Sequence, residues 1–317
     1  MTLTARLNAR WGRAYFAVQA AAGAFWWAGV ALSPGIRFST LGALPVGTVA
    51  VLDVPLFVIA SALAACRVRF ATGVAAGWTV LATAATALYA TASGLAGWGA
   101  VLMIAASVCS VGALLLIHLN RIPSEWLLIG PFRAREAESA PARTHLLRTG
   151  AQIVVFWGVC LVILPAVIAL LELRWGLRLS FPTAVTIVGI VLLIAASALG
   201  LWAAVAMAGR GDGTPLPIAT ARLLVVSGPY RLVRNPMAVA GIAQGVAVGL
   251  VCGSWLVVVY ALCGSLVWND LIRPWEEEDL VARFGSSYEA YRERVSCWIP
   301  RRPRRRPSGS ARDPLVY

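Results

Sequence analysis

The chain has 317 residues, of which 59% are hydrophobic and only 13% are charged. Soluble domains carry about a quarter charged residues, so this composition excludes a soluble globular enzyme, a disordered chain and a collagen-like one. The net charge is +13 and all 27 basic residues are Arg; in a chain this apolar, that charge points to cytoplasmic loops and anionic lipid, and no nucleic-acid partner is expected.

Eight apolar segments occur in chain order: about Ala14–Leu32, Val46–Ala65, Gly73–Ala92 and Trp98–Leu119, then about Gly150–Leu171, Thr183–Met207, Met237–Val251 and Ser254–Leu271. The first six are long enough to cross a bilayer core of about 30 Å at about 1.5 Å per residue. The last two are shorter and read as a helical hairpin that need not span fully. The predicted fold is therefore an all-α, polytopic membrane protein of about eight transmembrane segments. Arg6, Arg10 and Arg13 precede the first segment, as in a signal peptide, but the segment is long for one and more spans come after it, so it reads as a spanning helix.

With the N-terminus inside, twenty-four of the 27 Arg fall in cytoplasmic pieces, and only Arg37, Arg174 and Arg178 fall outside. That asymmetry predicts a plasma (inner) membrane protein with both termini cytoplasmic. The polar stretch 121–149 contains Pro123, Pro131 and Pro141 and marks a boundary. It divides an N-terminal four-helix unit (1–120) from a C-terminal unit (150–300) that holds nearly all the polar motifs. Residues 301–317 are rich in Arg, Pro and Ser, the composition of a disordered basic tail held against an anionic leaflet. Six scattered Cys form no CxxC pair, and His118 and His145 stand apart, so no metal site is expected. Asp53 is an acid inside an apolar segment: functional by default, or a structural group at the outer interface if that helix begins at Val54-Pro55.

Three features of the C-terminal unit carry chemistry. In Ser227-Gly228-Pro229-Tyr230-Arg231-Leu232-Val233-Arg234-Asn235-Pro236-Met237, Gly228-Pro229 marks a turn and Pro236 suits the first position of a helix. Arg234 and Asn235 then sit at a helix N-terminus, whose free N–H groups suit a carboxylate; the plainer reading is a polar interfacial loop. Second, Trp275-Glu276-Glu277-Glu278-Asp279-Leu280 sets four acids on the Arg-rich side. They complement a helix dipole or form an acidic wall for a cationic ligand. Leu280, Phe284, Tyr288 and Tyr291 come next, at spacings that predict one amphipathic helix lying along the cytoplasmic membrane face. Third, Gly241, Gly245 and Gly249 share one face of the seventh segment. Such a face allows close helix approach or leaves room for a flat ligand against bare backbone.

Taken in order, these pieces resemble the integral membrane methyltransferases of the isoprenylcysteine carboxyl methyltransferase and phospholipid N-methyltransferase superfamily. The resemblance rests on Gly228-Pro229-Tyr230, Arg234-Asn235-Pro236-Met237, a hairpin, Glu276-Glu277, then Leu280, Phe284-Gly285, Tyr288, Tyr291 and Trp298-Ile299-Pro300, about a quarter of the chain. It implies S-adenosylmethionine as methyl donor, no metal, and a lipophilic, membrane-embedded acceptor. It implies that Arg234, and Arg222 upstream, serve the donor's carboxylate, and that Glu276 or Glu277 take its ammonium or ribose hydroxyls. Tyr230 and the Gly241 face would hold adenine or the sulfonium. Gly228, Asn235, Pro236, Met237, Tyr288 and Tyr291 complete the implied cofactor set, with Arg234, Glu276 and Arg273 on the catalytic side. Asn235 stands where the prenylcysteine enzymes have His, Arg222 where members often carry His, and Ala238 where a Tyr usually touches the cofactor, which implies a rearranged or enlarged pocket. The rival reading is a transporter or scaffold that keeps this fold without the chemistry.

Overall fold

The structure, a computed structural model, describes residues 7–123, 125, 142–211 and 222–300. Most of the polar linker and the whole basic tail lie outside the described residues. Among the described residues there are nine helices and no strand: α1 (Ala9–Leu32), α2 (Pro34–Leu41), α3 (Val46–Ala65), α4 (Arg69–Ser93), α5 (Gly97–Leu119), α6 (142–174), α7 (Thr183–Arg210), α8 (Pro236–Cys252) and α9 (Trp255–Arg294). All except α2 and α8 are long and apolar enough to cross a membrane. The protein is an all-α integral membrane protein, because inside lipid only a helix of this kind satisfies its backbone groups within one segment.

Helices α1, α3, α4 and α5 form one bundle. Its interior is small-residue packing around Phe16, with Ala60, Ala64, Ala71, Ala75 and Ala113 closing on it. Without a hydrophobic drive between helices in lipid, small residues and polar pairs supply the cohesion. Gln19 of α1 is the polar hub. Its Nε2 donates to Ser61 Oγ of α3 (3.1 Å) and Thr79 Oγ1 of α4 (3.5 Å), while Ser110 of α5 donates to its Oε1 (2.8 Å) and Tyr15 bonds the same oxygen. Asp53 lies within α3, which runs through it instead of starting at Val54. A widened π-helical turn at Val54–Ile59 accommodates Pro55. The Asp53 carboxylate is 8% exposed and accepts one indole N–H from Trp27 and one from Trp78, both at 2.9 Å. It ties three helices together.

Between the first two apolar segments the short helix α2 forms. Ser33 accepts the Ile36 N–H as N-cap, Pro34 occupies the first turn, and Gly42 ends the helix at φ 60°.

Helices α6 to α9 form the second bundle. Gly189 and Gly200 of α7 let α8 approach closely, at Leu250–Val251 and at Ala240. The α8–α9 hairpin turns at Gly253 (φ 63°). Ser254 caps α9, and Glu172 of α6 accepts the Leu256 N–H (3.1 Å) and the Ser254 hydroxyl, stapling the hairpin to α6. The bundles meet where Gly97 faces the Trp175 carbonyl, Arg174 donates to Thr91 O (2.7 Å), and Trp98 stacks on Trp255 with centroids 5.8 Å apart.

The expected separate amphipathic helix is instead continuous with the last apolar segment. α9 runs from Trp255 to Arg294, through a π-helical turn at Trp268–Ile272 and a break at Gly285 (φ 51°, ψ −129°). Its apolar run ends at Ile272, so the acids from Glu276 onwards lie past the membrane-spanning part. The stripe Leu280, Phe284, Tyr288, Tyr291 is not one uninterrupted face, because the left-handed Gly285 rotates the residues beyond it. Tyr288 and Tyr291 are buried; Leu280 and Phe284 are only partly so.

Candidate active site

The site is built at the N-terminus of α8. Gly228, at φ 60°, begins a single 3₁₀ turn over Gly228–Arg231 that buries Pro229 and Tyr230. Tyr291 donates its hydroxyl hydrogen to the Tyr230 carbonyl at 2.7 Å, and the Arg234 amide donates to Ser296 O at 2.9 Å. The segment after Gly285 thus folds back and clamps the loop that carries Arg234. Asn235 then caps α8, accepting the Ala238 N–H at 3.1 Å, with Pro236 in the first turn where no N–H is needed.

The acids of α9 arrive beside this cap. Arg234 Nη1 lies 3.1 Å from Glu277 Oε1 and donates to the Tyr288 hydroxyl at 3.5 Å. Arg273 reaches the same Glu277 oxygen at 3.8 Å. Arg234 Nε is buried with no hydrogen-bond partner. Glu276 points differently: Asn235 Nδ2 donates to its Oε2 at 3.4 Å. Burial pushes its carboxyl up to about 7, against a lowering hydrogen bond from Trp268 and with a further raising push from the Glu277 charge.

Beside the cap opens a cavity of about 370 Å³, within the roughly 300–1,000 Å³ of small-molecule sites. One wall comes from α8 and α9: Asn235, Met237, Ala238, Gly241, Trp268 and Glu276. The other comes from α6: Thr149, Gln152, Phe156, Trp157, Cys160 and Leu161. Both walls carry a π-helical turn, at Gly158–Ile163 and at Trp268–Ile272, each just before a proline, Pro165 or Pro274. A proline ring cannot sit against the carbonyl four residues back; the extra residue in the turn relieves this and aims Cys160, Leu161, Trp268 and Ile272 at the cavity.

The three glycines divide their work. An added Cβ on Gly245 would sit 2.8 Å from Ala261 Cβ, and one on Gly249 would sit 2.8 Å from the Val258 amide. Those two permit the α8–α9 contact. Gly241 is exposed, lines the cavity and has open space where a Cβ would go.

Of the residues singled out in the sequence, Asn235, Met237, Gly241 and Glu276 line the cavity, and so does Ala238. Arg234, Arg273, Glu277 and Tyr288 form the ionic cluster beside it. Gly228, Tyr230, Pro236 and Tyr291 hold the loop and helix start in place. Arg222 does not line the cavity; it is exposed, and its amide donates to Gly211 O at 2.7 Å near the end of α7. Sequence reasoning missed the α6 wall. Its signal was present as Thr149, Gln152, Phe156 and Trp157, a helical face with polar residues at one end of an apolar run.

Residues 184–287 match the phospholipid methyltransferase family. The stretch covers α7, the Gly228 turn, α8 and α9 as far as the acids, so it contains Arg234, Asn235, Gly241, Glu276 and Glu277. The chain carries a phospholipid methyltransferase domain. This places the domain in the superfamily that the ordered motifs resemble, and it supports a membrane methyltransferase. No curated protein and no solved structure matches the chain. The domain stops short of α6, so one of the two cavity walls lies outside it.

Proposed function

We propose that the protein is an S-adenosylmethionine-dependent methyltransferase of the plasma membrane, with both termini cytoplasmic, acting on a lipophilic acceptor that enters from the bilayer. The observation that carries this is a cavity of small-molecule size walled by Asn235, Gly241 and Glu276 beside the Arg234–Glu277 pair, all within the methyltransferase domain. The donor set fits the cofactor. Arg234 has a buried Nε with no partner and presents a guanidinium suited to an α-carboxylate. Glu276 and Glu277 suit an ammonium or ribose hydroxyls, and Gly241 leaves bare backbone for a flat ring. Bound there, S-adenosylmethionine supplies an electrophilic methyl group on a sulfonium sulfur.

The chain's own contribution is positioning. Apolar walls from α6 and α8 exclude water, and the Tyr291 and Ser296 clamp keeps Arg234 and Asn235 in register. Holding the acceptor atom in line is the main source of rate in such a displacement. Glu276, with its carboxyl near neutrality, can take a proton from an acceptor that carries one. Calorimetry of the purified protein with S-adenosylhomocysteine tests the reading. The parent binds, and Arg234→Ala and Glu276→Ala each weaken binding at least about tenfold, one lost charge-assisted hydrogen bond being worth roughly 1.5–3 kcal/mol. No binding by the parent, or unchanged binding in both variants, overturns it.

A further inference from the structure

Building on the methyltransferase reading above, we propose that Trp268 of α9 is a positioning residue for Glu276, and that Trp298, in the segment that folds back after Gly285, holds Trp268 in place. Trp268 opens the π-helical turn Trp268–Ile272. At about 100° per residue, residues eight apart on a regular helix point about 80° away from each other. The extra residue of the π turn brings Glu276 back to about 20° from Trp268, close to the same face. Both side chains line the cavity, and the Trp268 indole donates to the Glu276 carboxylate. Asn235 Nδ2 donates to the same carboxylate from the α8 cap. An indole N–H donates and never accepts, so this bond favours the ionised carboxylate against the burial that opposes it.

The indole is steadied from beyond the break in α9. Trp298 stands edge to face against Trp268, with ring centroids 5.2 Å apart at 90°. Its Nε1 donates to Asn269 Oδ1 at 3.0 Å, which ties it to the same π turn. Two residues earlier, Ser296 O accepts the Arg234 amide at 2.9 Å. Three residues of one segment therefore hold both the loop that carries Arg234 and the aromatic wall beside Glu276.

The other charged groups around Glu276 stay fixed near neutral pH. On its own helix these are Glu277 and Arg273, which lie 3.8 Å apart; from the loop before α8 comes Arg234, at 3.1 Å from Glu277. Tyr230 belongs to that loop too, and Tyr288, Tyr291 and Cys297 to the far end of α9 and the segment after it. Burial raises all four above their ordinary values, so they remain protonated there. α6 places Cys160 on the facing wall. The pH slope that Glu276→Gln removes isolates Glu276 from all of these.

Calorimetry of the purified full-length protein in detergent with S-adenosylhomocysteine, from pH 5.5 to pH 9, tests the assignment. Trp268→Phe keeps a ring and loses the N–H. Its affinity midpoint moves up by about one pH unit or more, as loss of one hydrogen bond to a charged group requires, and near pH 9 its affinity returns to within about threefold of the parent. Trp298→Leu moves the midpoint in the same direction, whereas Trp298→Phe, which keeps a ring against Trp268, stays near the parent. The double variant Trp268→Phe/Trp298→Leu moves no further than Trp268→Phe, because both act through one bond. Trp255→Phe loses an indole bond to Leu177 O at the other end of α9 and keeps the parent midpoint. An unmoved midpoint in Trp268→Phe or in Trp298→Leu overturns the proposal. So does an equal loss of affinity at every pH with a lowered melting temperature, which is what packing alone gives. A parent that binds with a slope that Glu276→Gln leaves intact also overturns it, with cofactor binding still standing. A parent that binds at no pH overturns the methyltransferase reading itself.

Discussion

Two adjacent glutamates at the same helix end have separate environments. Glu277 shares one oxygen with Arg234 and Arg273, whereas Glu276 faces the cavity with the Asn235 amide and Trp268 beside it. Burial favours its neutral form, raising the carboxyl from 4.5 to about 7. The neutral carboxyl therefore favours the folded protein below about pH 4.5, and that contribution fades as pH rises through about 7. A ligand ammonium pairs best with the ionised form. Affinity for S-adenosylhomocysteine should therefore rise between pH 6 and pH 8 in the parent and lose that slope in Glu276→Gln, measured by calorimetry across the range. Asp53 makes the opposite case, an acid whose two oxygens are both used by indoles. Asp53→Asn keeps one acceptor oxygen and leaves one buried indole N–H unpaired, a loss of about 1–3 kcal/mol that should lower the melting temperature in detergent without changing ligand affinity.

Helix α8 shows how one repeated residue serves two ends. Gly249→Ala would press a methyl against the Val258 backbone, and Gly245→Ala against Ala261; overpacking of this kind costs about 1–3 kcal/mol. Gly241→Ala meets nothing in the protein but intrudes on the cavity. The expected pattern is a lower melting temperature for Gly249→Ala with ligand affinity retained, and the reverse for Gly241→Ala. The spacing of the three glycines showed a shared face but not this division, since whether a Cβ meets backbone or space depends on α9 and α6. The aromatic stripe of α9 was misread for a related reason: periodicity assumes an unbroken helix, and Gly285 breaks it.

At the scale of the molecule, two cysteines report the proposed orientation in the bilayer. Cys66 and Cys252 are both exposed and lie after α3 and at the end of α8. With the proposed cytoplasmic termini, Cys66 lies on the cytoplasmic side and Cys252 outside. In intact cells, a membrane-impermeant maleimide should label a variant keeping Cys252 alone, and should label one keeping Cys66 alone only after permeabilisation. The seam at Gly97–Trp175 and Arg174–Thr91 joins the two bundles near the hairpin turn, at the opposite end of α8 from the Asn235 cap.

Run length, Arg distribution and motif order were enough to read an all-α membrane protein, and motif order alone pointed to the half of the candidate site that runs from Gly228 to Glu277. These are local properties: a bilayer fixes how long an apolar helix must be, and caps and turns act within a few residues. The other half needed the folded chain. Thr149 and Gln152 lie more than eighty residues before Asn235, and only the packing of α6 against α7 and α8 brings them across the cavity. Packing likewise chose which of two neighbouring glutamates meets an arginine and which meets the cavity, because adjacent helical residues point about 100° apart and their surroundings come from other helices.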